Sequence, residues 1–335
     1  MGLAAWLAVF AVAGALVMWS GIRLARAGDE IAERANLSRL AVGMLLMATA
    51  TSLPEIVTDV SASLAGAPDL AVGDLLGSCM ANMAILGVID LVHRHRVWPS
   101  VEIGHARVAS IAIALVALAV LWITAPLGLA VGWVGVDTIT IAGCYVATIL
   151  WVRRSPRGRF GPPELVPVPT GWATGSARGL RPAVLRFALA TAVILVASPA
   201  LARSGQEIAA LSGMGETFVG TTFVALATSL PELVSSLAAV RIGAHDLAVG
   251  NLFGSNAFNM SALLFADAAY REGPILAAVD PSQAVAGVGA ILLMALALAA
   301  LVHGLETRVH RLEPDAVLLL ACYGGVLWAV WAARS

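Results

Sequence analysis

The chain has 335 residues, of which 59% are hydrophobic and only 12% charged, and its formal net charge is −1. Its mean hydropathy is +0.88. These values exclude an ordinary soluble domain and a basic protein that binds nucleic acid, and they favour a membrane protein with many spans.

The apolar residues fall into ten blocks, each near the ~20 residues that a helix needs to cross the hydrocarbon core of a bilayer. We therefore predict an all-α polytopic membrane protein with ten transmembrane helices. In chain order the blocks cover residues 3–22, 40–64, 70–91, 107–124, 128–152, 183–202, 217–240, 246–269, 284–302 and 315–332.

The arginines predict the orientation. All 20 basic residues are Arg, and 17 of them fall in the loops on one side if the N-terminus is outside. Because positive charge collects on the cytoplasmic side, both termini are predicted to face out of the cell, across the plasma membrane. The Pro-, Gly- and Arg-rich segment 153–182 is then a cytoplasmic loop that links two five-span halves, 1–152 and 183–335.

A 48-residue segment occurs once in each half. Residues 43–90 recur as residues 220–267 without a gap, and 24 of the 48 positions are identical. Because each half has an odd number of spans, the second half enters the membrane from the opposite side. We therefore predict two inverted repeats whose matching segments meet near the membrane midplane.

Each repeat carries the sequence ATSLPE in the middle of an apolar block. The prolines Pro54 and Pro231 predict a break or kink in each helix, which frees backbone carbonyls beside Glu55 and Glu232. Carboxylate, carbonyl and hydroxyl oxygens around one point suit a hard cation such as Ca²⁺. A mere packing kink with a surface glutamate is disfavoured, because an intramembrane charge is costly without a partner and occurs here twice.

The second part of each repeat predicts a polar stripe along a helix. Three polar residues spaced four apart lie on one helix face, where they form either ion ligands or hydrogen bonds between helices. Asp74, the outermost in the first repeat, is a candidate for an access path beside the site. The stripes are Asp74, Ser78 and Asn82, and Asn251, Ser255 and Asn259.

Paired TSLPE and GxxxGS(N/C)xxN elements in two inverted halves resemble the α-repeats of the cation/calcium exchanger superfamily, near its prokaryotic sodium/calcium antiporters. The resemblance covers both repeats and, through the ten-span layout, nearly the whole chain. It implies a Ca²⁺ site made by Glu55, Glu232, Thr51 and Thr228. For Na⁺ or another counter-ion it implies Ser52, Ser78, Asn82, Ser229, Ser255, Asn259 and the main chain of Ala48 and Ala225.

The chain departs from the pattern of this family at three positions. Asp74 stands where the family has Asn, Cys79 replaces the Asn of GSN, and Asn259 stands where some prokaryotic relatives have Asp. Only two central carboxylates remain, and their formal charge of −2 would be neutralised by one Ca²⁺. Two protons would neutralise it as well, so Na⁺ and H⁺ both stay open as counter-ions.

The function expected from these features is secondary antiport of Ca²⁺ against Na⁺ by alternating access, with Ca²⁺/H⁺ antiport as the alternative. A cation channel is disfavoured because one inverted-repeat site lacks pore symmetry. An intramembrane hydrolase, and with it an enzyme, is disfavoured because no nucleophile–base pair is evident and no His lies in the core of a predicted span. An ATP-driven pump is disfavoured because no Walker motif occurs. No cofactor is expected, and the expected partners are the lipid bilayer and small cations, with no nucleic acid and no obligatory protein partner.

Overall fold

The computed structural model of the chain describes residues 2–92, 101–126, 128–154, 179–212, 228–303 and 314–333. These residues form helices and one antiparallel hairpin of β1 (Ala130–Val131) and β2 (Val134–Gly135). A π-helical segment, Val42–Met47, joins α2 to α3. The helices are α1 (Leu3–Arg34), α2 (Arg39–Ala41), α3 (Ala48–Leu64), α4 (Pro68–Val92), α5 (His105–Thr124), α6 (Val136–Arg154), α7 (Leu180–Ser212), α8 (Leu230–Arg241), α9 (His245–Ala269), α10 (Ile275–Ala278), α11 (Gln283–His303) and α12 (Pro314–Ala333).

The predicted helical membrane class is confirmed. Within the described ranges, seven helices are long and apolar enough to cross a membrane. The predicted blocks match most of them within a few residues. These helices are Leu3–Arg34, Arg39–Leu64, Pro68–Val92, His105–Thr124, Leu180–Gly205, Gln283–Val302 and Pro314–Ala333.

The first predicted block is too short, since α1 continues well past residue 22 to Arg34. At 1.5 Å per residue its 32 residues extend about 48 Å, which exceeds the ~30 Å hydrocarbon core. The C-terminal part of α1 is charged, and its Glu30 pairs with both Arg34 and Arg186 of α7. Ion pairs with the neighbouring helix therefore stabilise the helix beyond its apolar part.

Three of the ten predicted spans are not among these seven helices. In α6 the apolar stretch is only Val136–Leu150, because the hairpin occupies the start of the predicted block. In α8 the described helix begins at Leu230, within the predicted block 217–240. The total of ten transmembrane spans therefore stays a prediction for the described part of the chain.

The third of these spans, α9, is the central helix of the bundle. Of its 25 residues, 18 are buried, and it packs against α3, α4, α5, α6, α8 and the π-helical segment. A helix enclosed by protein does not need an apolar surface for lipid, so its polar stripe is compatible with a position inside a membrane bundle.

The two repeated prolines differ in their effect on the helix. The predicted break at Pro54 is wrong, because α3 continues through it and the irregular turn lies earlier, in Val42–Met47. Proline removes one backbone donor, and the α-helical residues on both sides of Pro54 keep α3 continuous despite that loss. In the second half the chain bends at Ser229, and Pro231 lies in the first turn of α8, where its missing N–H leaves no bond unmade.

Glycines let α9 approach the π-helical segment at backbone distance. A Cβ atom built on Gly254 would lie 2.6 Å from the Cα of Met44, and one on Gly43 would lie 2.5 Å from the carbonyl oxygen of Leu247. Both distances are shorter than any tolerated carbon contact with a rigid backbone. Small residues at helix interfaces thus place the polar stripe of α9 directly against the first repeat.

A carboxylate holds each end of α9, half-buried at the start and fully buried at the end. At its start, Asp246 Oδ1 lies 3.0 Å from Nε2 of His105, which is fully buried at the first residue of α5. At its end, Asp267 accepts hydrogen bonds from the backbone N–H groups of Gly135 (2.7 Å) and Ile275 (2.8 Å). These bonds tie the central helix to the hairpin and to α5 and α10.

We expect Gly254→Ala to lower the free energy of unfolding by about 1–3 kcal/mol, because the added methyl group overpacks a contact between two backbones. Gly143→Ala in α6 is the matched control, since a Cβ atom there meets nothing within 4 Å. Thermal unfolding of the purified chains in detergent measures both. Equal stability of the two variants would contradict the close contact described here.

Candidate cation site

The structure brings the two repeated glutamates together inside the bundle. Glu55 lies on α3 with 1% of its surface exposed, and Glu232 lies in the first turn of α8 with 0% exposed. Their carboxylates are close enough to interact electrostatically. Segments that lie 177 residues apart in the chain thus supply one buried acidic centre.

Hydroxyl groups of the first repeat reach polar groups of the second. Ser52 donates a hydrogen bond to Glu232 Oε1 at 3.4 Å, and Thr51 donates one to Asn251 Oδ1 at 3.4 Å. Both donors are fully buried. Each half of the chain therefore completes the surroundings of groups in the other half, and neither half forms this centre alone.

Several polar atoms at this centre have no hydrogen-bond partner within the described residues. They are both carboxylate oxygens of Glu55, Oε2 of Glu232, Oδ1 of Asn82, Oγ of Ser255 and both side-chain polar atoms of Asn259. Buried polar atoms are normally paired, because leaving one unpaired costs on the order of 1–3 kcal/mol. Most of these atoms are oxygens, the ligands that hard cations prefer.

The central helices of the two repeats cross at equivalent positions. Asn256 occupies the place in α9 that Cys79 occupies in α4, and its side chain donates to the Cys79 carbonyl oxygen at 3.2 Å. Asn82 Nδ2 in turn donates to Asn256 Oδ1 at 2.9 Å. Contact between equivalent positions is what a two-fold relation between the repeats produces. The unequal pair Cys79 and Asn256 thus lies where the repeats meet.

Eleven of the thirteen predicted site residues are buried. Asp74 is half-buried, and Ala225 lies outside the described residues. The described ranges hold no group of three His, Cys, Asp or Glu residues able to bind a metal. The residues that are buried are Ala48, Thr51, Ser52, Glu55, Ser78, Asn82, Thr228, Ser229, Glu232, Ser255 and Asn259.

Two serines beside Glu232 are not among the site residues predicted from the sequence. Asn251 Nδ2 donates to Ser235 Oγ at 3.3 Å and to Ser236 Oγ at 3.0 Å, and both serines are fully buried. They lie three and four residues after Glu232, so the helical period places them on its face. Their spacing from Glu232 is the sequence feature from which both serines could have been predicted.

Comparison with known proteins agrees with the resemblance seen in the repeats. A model of the family described as "Sodium/calcium exchanger protein" matches residues 5–152 and 182–332. A "Putative antiporter CaxA" of Alkalimonas amylolytica is 31% identical, and the match covers 94% of this chain and 96% of that protein. The "Inner membrane protein YrbG" of Escherichia coli K12 is also 31% identical over 78% of each chain.

Solved structures share the fold. The sodium-calcium exchanger NCX_Mj, soaked with 10 mM Na⁺ and zero Ca²⁺, matches with a TM-score of 0.74 over 97% of this chain and 99% of its own. The same exchanger soaked with zero Na⁺ and Ca²⁺ matches with a TM-score of 0.69. The sequence identities are 20% and 19%. These likenesses concern the fold, and the roles of individual side chains in this chain stay a prediction.

We expect Asn256→Ala to destabilise the fold by about 1–3 kcal/mol, because it leaves the Asn82 side-chain amide buried without the acceptor it bonds to. Thr140→Ala is the control, since its exposed hydroxyl bonds only to Val136 of its own helix. Thermal unfolding in detergent compares the two. A loss confined to Thr140→Ala, or equal losses, would contradict the role given to the crossing.

Proposed function

Since the chain belongs to the sodium/calcium exchanger family, we propose that it is a secondary antiporter that moves Ca²⁺ across the membrane in exchange for Na⁺ by alternating access. One observation carries the proposal. Two carboxylates from two repeated segments meet in the interior of a membrane bundle, and Glu55 has no hydrogen-bond partner on either oxygen among the described residues.

The charge of this pair explains how the two fluxes are coupled. Two ionised carboxylates without a basic partner are costly inside a membrane protein, and one bound Ca²⁺ neutralises them. Sodium ions bind to the same oxygens and therefore displace Ca²⁺ rather than accompany it. Because one site holds either ion but not both, transport of one ion in one direction drives the other in the opposite direction.

We assign the ligands as the sequence predicted them. Glu55 and Glu232, with the carbonyl or hydroxyl oxygens of Thr51 and Thr228, bind Ca²⁺. The counter-ion uses the same carboxylates together with neighbouring oxygen atoms. Those atoms belong to Ser52, Ser78, Asn82, Ser229, Ser255, Asn259 and the main chain of Ala48 and Ala225.

The proposed architecture is ten spans in two inverted five-span halves, in the plasma membrane, with both termini outside and the loop 153–182 in the cytoplasm. The arginine distribution supports the orientation. The reciprocal contact of Cys79 with Asn256 supports the two-fold relation of the halves. Rocking one part of such a pair against the other opens a midplane site to either side in turn.

Protons are the second candidate counter-ion. Asn259 replaces a carboxylate that some relatives have, so two acids remain at the centre, and one proton on each would neutralise the site as one Ca²⁺ does. Ca²⁺/H⁺ antiport would use Glu55 and Glu232 in the same way and would need no Na⁺ ligand.

We expect Glu55→Gln and Glu232→Gln each to reduce exchange to background, because the amide removes half of the charge that binds Ca²⁺. The assay is ⁴⁵Ca²⁺ uptake into proteoliposomes driven by an outward Na⁺ gradient. Glu33→Gln is the control, since the Glu33 side chain is 66% exposed and lies outside the centre. Normal exchange by both central variants, at equal reconstituted amounts, would remove these residues from the site.

We expect ⁴⁵Ca²⁺ uptake by the unchanged chain to require an opposing Na⁺ gradient and to stop when choline replaces Na⁺. Uptake driven by a proton gradient alone would support the Ca²⁺/H⁺ alternative instead. Uptake at full rate with neither gradient would contradict antiport of either kind and would indicate a channel.

A further inference from the structure

A second pair of acidic residues lies beside the central site, in the first half only. The carboxylates of Asp59 on α3 and Asp74 on α4 interact electrostatically. Asp59 is 1% exposed, and its carboxylate lies within hydrogen-bonding reach of the Asp74 carboxylate; among the described residues no other group bonds to either oxygen of Asp59 or to Oδ2 of Asp74. Among the described residues no Arg or His forms an ion pair with Asp59 or Asp74.

The pair belongs to a row of buried polar groups along one face of α3. Asp59 lies one helical turn beyond Glu55, and Ser63 lies one turn further, 2% exposed and with its Oγ unpartnered. At 1.5 Å per residue, the step from Glu55 to Ser63 is about 12 Å. The next residue, Leu64, ends α3 and is 67% exposed. The row therefore leads from the central site to the end of the bundle at the α3–α4 connection.

The equivalent positions of the second half hold a closed, neutral pair. Ser236 and Asn251 replace the two aspartates, and Asn251 Nδ2 donates to Ser236 Oγ at 3.0 Å. Val240 stands where the first half has Ser63. At these equivalent positions the polar side chains of the second half bond to each other. Those of the first half are two carboxylates that lack a donor within the described part of the chain.

We propose that Asp59 and Asp74 form a second Ca²⁺-binding site, separate from the central one, on the path between Glu55 and the α3–α4 end of the bundle. The two carboxylates carry a formal charge of −2 in a buried position with no cationic side chain, which one divalent cation neutralises. Calcium accepts carboxylates, hydroxyl oxygen and water in flexible geometry at about 2.3–2.6 Å, which suits two aspartates with Ser63 nearby.

The site would act as a relay for ions at one face of the transporter. This role rests on the proposed function, whereas the binding of Ca²⁺ does not. In the proposed orientation the α3–α4 end faces outward, so the relay serves exchange with the external solution. Clustered negative charge in surroundings of low dielectric constant concentrates cations, and because the second half lacks the pair, the effect is confined to one side.

The binding test uses the purified full-length chain with Ca²⁺ alone, measured by equilibrium dialysis of ⁴⁵Ca²⁺. In the double variant Glu55→Gln/Glu232→Gln the central site is disabled, and we expect one Ca²⁺ per chain to remain bound. Adding Asp59→Ser/Asp74→Asn should abolish that binding. This change installs the residue pair that the second half already holds, so we expect it to fold; Asp74→Asn alone is the milder variant if it does not.

Either of two results would overturn the proposal. If Glu55→Gln/Glu232→Gln binds no Ca²⁺, the aspartates share a proton or a monovalent ion instead. If binding persists after the aspartates are replaced, the remaining Ca²⁺ lies elsewhere. Both results are independent of whether the unchanged chain exchanges Ca²⁺ for Na⁺, so failure of this proposal is distinguishable from failure of the proposed function.

The transport test uses Asp59→Ser/Asp74→Asn in the otherwise unchanged chain. We expect the KM for Ca²⁺ offered at the α3–α4 face to rise about tenfold, the lower end of what an acidic cleft adds to local cation concentration. The KM at the opposite face should not change. Asp69→Asn, which removes one negative charge from an exposed acid at the same end of the bundle, is the control and should leave both values unchanged. Equal changes at both faces, or no change at either face, would contradict the relay.

Discussion

The central constraint on this molecule is the burial of two carboxylates, Glu55 and Glu232, inside a membrane bundle without a basic partner among the described residues. A lone charge in such surroundings costs several kcal/mol, and the fold supplies only hydroxyl and amide dipoles against it. A bound cation or proton must therefore complete the site. The stability of the interior therefore depends on a cation or proton bound at the site, and not on one particular side-chain contact.

The packing of α9 against the first repeat holds the two halves together around these carboxylates. Gly254 and Gly43 allow backbone contact with the first repeat, and Asn256 bonds to the backbone of Cys79 where the central helices cross. Ser52 of the first repeat donates to Glu232 of the second. Any motion that opens the site to one side must exchange these contacts between halves. In the proposed transport cycle, a change of ion at the carboxylates is coupled in this way to the relative position of the repeats.

Sequence reasoning identified the membrane class and the central acids because both depend on composition and repetition. A carboxylate that recurs after Ser-Leu-Pro within an apolar block has few structural explanations. Predictions from the sequence were wrong where contacts between helices determine how far a helix extends. The helix continues through Pro54, where one missing N–H does not end it, and α1 extends past its apolar part, where Glu30 finds partners on α1 and α7. The pairing of Asp59 with Asp74 depends on how α3 lies against α4, which helical periodicity does not encode.

The most direct test of the account is the effect of Na⁺ on equilibrium binding of Ca²⁺ to the purified chain, at constant ionic strength with choline as the replacement. In the Asp59→Ser/Asp74→Asn chain, which keeps only the central site, a shared site predicts that the Kd for Ca²⁺ rises as Na⁺ replaces choline, and that bound ⁴⁵Ca²⁺ is released completely at high Na⁺. A Kd for Ca²⁺ that is the same in Na⁺ and in choline would contradict the claim that one pair of carboxylates binds both ions in turn.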